Sequence, residues 1–403
     1  MSGPLAGFKI IDMTSVISGP LSTMILADQG AEVIKVENPD GGDFTRALSN
    51  RRGGFSASFL NNNRSKRSIA VDTKTPEGME IVKKLLSTAD VFIQNMRPGV
   101  AERIGLGEEE VRKISPEIIF VSISGFGHEG PYSQRPVYDP LVQALSGLTT
   151  IQGGSDEARP KLVRTIVPDK LTGVMAAQAI TAGLLSRERT GKGQHIKLSM
   201  LDSVVSFLWH SDMGSQTFVG GEFPQEEAQS FIDLIYETSD GYITVAVNTD
   251  KQWTNLTTAL NRKEWLTDER FLTPALRHKN INDRLSMTQE VLLSKSAKEW
   301  LTILDAADVP CAPILRRRDV INHPQIQANA TIGEYKHQQA GILRQAAPAA
   351  NFSETPAVIT RGAPMLGEFS KEALIRLGYD EDTIESLIKD GIIATPEQSS
   401  KET

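Results

Sequence analysis

A single cysteine, Cys311, stands in 403 residues. An intrachain disulfide is thereby excluded, and a reducing, cytoplasmic compartment is expected. Histidine is scarce too: His128, His195, His210, His278, His323 and His337 show neither HExxH spacing nor a cysteine partner set, so no metal site is expected. No apolar run reaches bilayer length, stretches such as Glu117–Ile123 being of strand length, and no membrane contact is expected. Met1–Gly7 lacks the basic-then-apolar pattern of a secretory signal. No GxSxG occurs, which removes a hydrolase nucleophile elbow. The turn after the first strand, Ser15–Pro20, has one glycine and no GxGxxG, so the standard dinucleotide fingerprint is missing. Nor is there an excess of positive charge. Against 43 Lys and Arg stand 50 Asp and Glu, a net charge of -7, which argues against a general nucleic-acid or anionic-membrane binder.

What is present is ordinary globular material, 39% hydrophobic and 23% charged, in a chain long enough for two domains. Phe8–Met13 and Glu32–Glu37 read as strands around a helix Pro20–Gln29. Thr75 caps a helix whose first residue is Pro76, followed by strand Val91–Gln94. Glu108–Glu110 opens another short helix before strand Glu117–Ile123. Strand, helix, strand at these spacings implies right-handed crossovers and a parallel sheet, an α/β Rossmann-like core. Gly173, Ala176, Ala177, Ile180, Gly183 and Leu184 recur at helical spacing along Leu171–Ser186, a pattern for close packing. Residues 1–205 read as the first part of this large domain and 206–228, with Gly220, Gly221 and Pro224, as a linker. Residues 229–318, with a hairpin around Asp240-Gly241, read as a small α+β domain. Residues 319–403 return to the large domain through a Pro-spotted, irregular stretch and an amphipathic helix Ala373–Ile393. The last ten residues are expected to fray.

Most candidate features have a plain structural reading. Gly191-Lys192-Gly193 lies at the negative end of a helix and is a turn. Cys311 between apolar residues is a structural thiol. Arg64-Ser65-Lys66-Arg67 and Arg316–Arg318 read as solvated faces. Asp169, beside Pro168 at the start of a helix, has two readings: a cap, or a carboxylate oriented by the helix's positive end for nucleophilic attack. Periodicity does not choose between them.

The choice comes from longer stretches: PLAGFKIIDMTSVISGPLSTMILADQGAEVIKVENPDGGDFTR, NNNRSKRSIAVDTKTPEG, VFIQNMRPGVAERIGLG, SGFGHEGPYSQRPVYDPLVQALSGL, DKLTG with RERTGKGQHIKLSMLD, DGYITVAV and APMLGE. Together they resemble the class III CoA-transferases over nearly the whole chain. The resemblance implies CoA transfer from an acyl-CoA thioester to a small carboxylic acid through an aspartyl mixed anhydride and an aspartyl-CoA thioester. Coenzyme A is then a substrate, with no tightly bound cofactor. The resemblance places the nucleophile on Asp169. It places CoA contacts on Ile17, Ser18, Asn38, Lys74, Asn95, Met96, Arg97 and Arg103, and the acyl pocket on Tyr138 and Asp139. It also implies an interlocked-ring homodimer. Formyl-CoA transferase has Gln at the position of Ile17 and a lysine where Pro136 stands, and the C-terminal LGEH pattern becomes LGEF here, with Phe369 in place of His. An acyl-CoA racemase of the same fold would need a histidine where Tyr138 stands, and tyrosine, with a pKa near 10, is a poor base. A CoA-binding protein without catalysis is the remaining alternative.

Overall fold

The computed structural model describes residues 3–220 and 234–396. The chain divides into two compact units, Met1–Thr149 with Lys161–Met213 and Gln327–Thr403, and Thr150–Pro160 with Gly214–Ile326.

The first unit carries the sheet. Strands β1 (Lys9–Met13), β2 (Glu32–Glu37), β3 (Arg67–Val71), β4 (Val91–Gln94), β5 (Ile119–Ser124) and β6 (His195–Ser199) lie in the order β3-β2-β1-β4-β5-β6, all parallel. The short strand Ile393–Ala394 closes the β3 edge antiparallel, Ile393 opposite Val71. The order reverses between β1 and β4, so their C-terminal ends frame the crevice where doubly wound sheets bind ligands.

The helices that cover this sheet are α1 (Ser18–Asp28), α2 (Pro76–Leu86), α3 (Glu108–Ile114), α4 (Asp139–Leu145), α5 (Val167–Thr190) and α6 (Met200–Trp209). Ile11, Phe92 and Phe120 pack on one face with α2 and α3; Ile10, Ile93 and Val121 pack on the other with α1 and α5. Burial on both faces explains why these strands are near-continuous apolar runs. Each such side chain contributes about 1.5–3 kcal/mol on burial. Thr75 caps α2 as expected, its hydroxyl accepting from the Gly78 N–H at 3.1 Å.

Four local expectations differ from the fold. α5 starts four residues before Leu171 and ends at Thr190, where Gly191 turns left-handed. Ala373–Ile393 is not one helix: Ser370–Arg376 and Glu381–Lys389 are separated at Gly378, whose φ of 85° no helix continues through. The irregular stretch holds a hairpin, Ile332–His337 against Gly341–Ala346. Arg64 and Lys66 are buried rather than solvated, Arg64 by pairing with Asp28 at 2.8 Å. Arg316–Arg318 are exposed, as expected.

The second unit has an antiparallel sheet of β7 (Ile235–Glu237), β8 (Tyr242–Val245) and β9 (Cys311–Pro313), with helices packed over Trp253, Trp265, Phe271 and Trp300. The hairpin turn falls at Asp240-Gly241, with the Thr238 N–H bonded to the Gly241 carbonyl at 2.9 Å. Cys311 is half-buried, and burial pushes its thiol up, away from reactivity. Helix α6 runs past residue 205 to Trp209, and Gly214–Thr217 is helical. Gly221, Pro224 and the rest of 221–228 lie outside the described residues, as do 397–403 of the tail. Among the described residues, no helix is long and apolar enough to cross a membrane.

Candidate active site

Because β1 to β5 are parallel, the segments that follow them emerge at one edge of the sheet. Ile17 and Ser18 follow β1, Asn38 follows β2, Lys74 follows β3, Asn95, Met96, Arg97 and then Arg103 follow β4, and Tyr138 and Asp139 follow β5. Residues scattered from Ile17 to Asp139 are thus collected at the switch-point edge by topology alone. Their exposure differs. Ile17 and Ser18 are buried; Asn38, Lys74, Arg97 and Arg103 are exposed, and Asn95 and Met96 half-buried. Arg97 and Arg103 make no ion pair among the described residues, so both guanidinium groups are available to an anion. Tyr138 is 74% exposed, directly before the buried Asp139.

Helix α5 begins at the same edge, and Asp169 lies in its first turn. It is not the cap: Ile166 holds that place, without a side-chain bond to the helix. Asp169 is half-buried. Its carboxylate meets the backbone N–H of Ser18, the first residue of α1. That approach requires the two helices to cross closely. A Cβ on Gly173 would lie 2.8 Å from the Ser18 carbonyl oxygen and 3.0 Å from the Leu21 side chain. The expected buried stripe of α5, Gly173, Ala176, Ala177, Ile180, Gly183 and Leu184, is buried throughout.

The helix end does not by itself set the charge. Burial pushes the Asp169 carboxyl up to about 6, the neighbouring Asp139 carboxylate pushes the same way, and the Ser18 N–H opposes both. Asp169 therefore remains mostly ionised near neutral pH, as a carboxylate partly withdrawn from water. Asp139 is also raised, by burial first, against bonds from Gln143 and the Asp169 N–H. Gln143 Nε2 donates to Asp139 Oδ1 at 2.6 Å, and Gln143 Oε1 accepts the Val163 N–H at 2.9 Å. Oδ2 of Asp139 is buried and lacks a well-aligned hydrogen bond. Gln143 thus ties Asp139 to the chain that enters α5. The sequence carried one hint of it, the Asp–Gln spacing of four within a helix.

The turn at the mouth of β1 is equally fixed. Asn95 Oδ1 accepts the Ser15 N–H at 3.0 Å and Asn95 Nδ2 donates to the Ser15 carbonyl at 2.8 Å, joining the two switch-point loops. Val16 has φ of 71°, a left-handed conformation that a β-branched residue adopts only under constraint. A second constellation does not qualify as a site. Ser122 Oγ lies 2.6 Å from His195 Nε2, and His195 Nδ1 lies 2.8 Å from Glu108 Oε2. Ser122 is buried within β5, and its neighbours on both sides, Val121 and Ile123, pack against α5, so the serine faces away from Asp169.

The chain matches the model of CoA-transferase family III over residues 5–369. It is 35% identical over 401 residues to a mouse protein, succinyl-CoA:glutarate CoA-transferase, covering 97% of this chain and 90% of that one. It is 30% identical over 428 residues to the formyl-CoA:oxalate CoA-transferase of Rhodopseudomonas palustris, covering 100% of both. The crystal structure of a CAIB/BAIF family protein from Brucella suis superimposes with a TM-score of 0.80 at 31% identity, covering 94% of this chain and 100% of the other. The protein belongs to CoA-transferase family III and is a CoA-transferase.

Proposed function

We propose that the protein moves CoA from an acyl-CoA thioester to a free carboxylic acid, with Asp169 as the covalent nucleophile. The observation that carries this is the half-buried Asp169 carboxylate at the head of two crossing helices, raised to about 6 and meeting the Ser18 N–H. A carboxylate oxygen attacks the thioester carbonyl, the carbon–sulfur bond breaks, and CoA thiolate leaves behind a mixed anhydride. The thiolate then attacks the aspartyl carbonyl, releasing the donor acid and forming an aspartyl-CoA thioester. The acceptor carboxylate attacks that thioester and expels CoA thiolate, which takes the acceptor acyl group and regenerates Asp169. Each step needs a developing oxyanion stabilised, a role this reading gives to the N–H groups of Ser18 and Gly19 in the first turn of α1.

In the same reading, Ile17, Ser18, Asn38, Lys74, Asn95, Met96, Arg97 and Arg103 hold CoA, the arginines taking its phosphates. Tyr138 and Asp139 border the acyl group. Succinyl-CoA and glutarate, named for the mouse relative, are the first pair to assay. Leu141, Leu145, Val174, Phe207 and Trp209 are exposed on α4, α5 and α6, which pack on one another. So much apolar surface supports a homodimer in which a second copy covers it. The lone cysteine suits a cytoplasmic enzyme. The test is exchange of labelled CoA between acyl-CoA and free acid. Wild type should catalyse it and Asp169→Ala should not; exchange retained by that variant would refute the nucleophile.

A further inference from the structure

Beneath the Thr14–Ile17 turn lies a cluster of charged side chains that neither the sequence reading nor the mechanism above uses. Asp12, Lys35 and Lys66 are 0% exposed, and Asp43 is 4% exposed. Lys35 pairs with Asp43 at 2.9 Å and Lys66 with Asp12 at 3.1 Å. Such buried pairs are costly to desolvate, and apolar residues of the same volume usually serve stability as well or better. Stability alone is therefore a poor reason for two of them in one place.

Their remaining bonds share one destination. Asp12 Oδ1 accepts the Thr14 N–H at 2.9 Å and the Thr14 hydroxyl at 2.5 Å. Lys35 Nζ donates to the Thr14 carbonyl at 2.7 Å. Asp43 Oδ1 accepts the Val16 N–H at 3.3 Å. Lys66 Nζ donates at 2.9 Å to the carbonyl of Pro20, in the first turn of α1. With Asn95 on the two backbone groups of Ser15, the polar backbone groups from the Thr14 N–H to the Val16 N–H are all held. The left-handed Val16 sits in the middle, and Ser18 follows two residues later. Strain of this kind persists only where the surroundings over-determine it.

We propose that Asp12, Lys35, Asp43 and Lys66 form a positioning clamp: they hold the Val16 turn so that the Ser18 N–H stays aimed at Asp169 and at the oxyanions formed there. None of the four touches the reacting atoms. The proposal rests on the reading of Asp169 as nucleophile. It makes the charges a catalytic requirement acting through the turn, not a general support of the sheet.

Steady-state CoA exchange by the full-length protein tests it, with melting temperature recorded for each variant. Asp43→Asn keeps the shape but weakens the hold on Val16 and unpairs Lys35. Its kcat should fall on the order of 100-fold while KM for acyl-CoA stays within about threefold. Should that variant fail to fold, Val16→Pro carries the test. Its side chain is at the surface and the ion pairs are untouched, yet proline has no N–H for Asp43 and cannot adopt φ of 71°. The same kcat loss is expected. If a folded variant keeps kcat within about threefold, or loses only in KM, the clamp is overturned. Asp169→Ala, run alongside, separates the two ideas: if it retains exchange the nucleophile assignment fails, whatever the turn variants do.

Discussion

At the scale of single residues, the proposed chemistry rests on Asp169 and its neighbouring carboxylate, Asp139. Asp169 is pushed up to about 6 by burial and then by Asp139. Only the ionised form is a nucleophile, so kcat/KM should fall as pH drops through about 6. Asp139→Asn removes the like charge and should move that acidic limb downward, toward but not to the ordinary carboxylate value, because burial remains. A pH–rate profile reads this directly; an unmoved limb would remove Asp139 from the electrostatics of the site. The same raised value has a cost in stability. Between the ordinary 3.8 and about 6 the folded protein binds a proton that the unfolded chain does not, so stability contributed by Asp169 is lost as pH rises through that window. Asp169→Asn should therefore raise the melting temperature at pH 7, with the gain vanishing below about pH 4.

Elsewhere the balance runs the other way. Burial would raise Glu37, but Arg46, Lys35 and the Ser68 hydroxyl outweigh it and hold it down at about 2. Its contribution is complete above pH 4.5 and lost as pH falls toward 2. Asp12 is likewise held below the ordinary range, burial being overcome by Lys66 and Lys35. Asp12→Asn leaves the buried Lys66 ammonium without its ion-pair partner and should cost about 3–5 kcal/mol in denaturant unfolding.

At the scale of elements, the crossing of α1 and α5 is what makes a site from separate pieces of chain. Gly173→Ala would set a methyl 2.8 Å from the Ser18 carbonyl. The helices must then part, at a cost of about 1–3 kcal/mol by chemical denaturation, with activity falling because Ser18 moves with α1. Much of this level was legible in the sequence. Thr75 and Pro76 announce α2 because capping is local chemistry, and the small residues from Gly173 to Gly183 announce a helix buried closely. Other parts were not legible, for reasons of tertiary context. Lys66 and Arg64 read as surface because charge normally is surface; only the fold supplies Asp12 and Asp28. The break at Gly378 was hidden by apolar residues on both sides of it. Phe369 is a core residue whose ring meets the guanidinium groups of Arg67 and Arg376. Of the two readings of Asp169 the cap fails because α5 starts earlier, at Val167, with Ile166 in the cap position.

At the scale of the whole molecule, the parallel sheet explains why a site can be assembled from residues 17 to 169. Right-handed crossovers return every strand's C-terminal end to one edge, and the order reversal between β1 and β4 opens the crevice there. The exposed apolar residues of α4, α5 and α6 belong to this scale too. Sedimentation equilibrium should give a dimer, and Val174→Glu with Trp209→Glu should shift it toward monomer. A wild-type monomer would leave that surface unexplained and count against the homodimer. The most direct measurement is mass spectrometry of the enzyme quenched during turnover with acyl-CoA. The account predicts CoA carried as a thioester on the peptide containing Asp169, lost on treatment with hydroxylamine and absent from Asp169→Ala. Turnover without that adduct, or an adduct on a different residue, would contradict it.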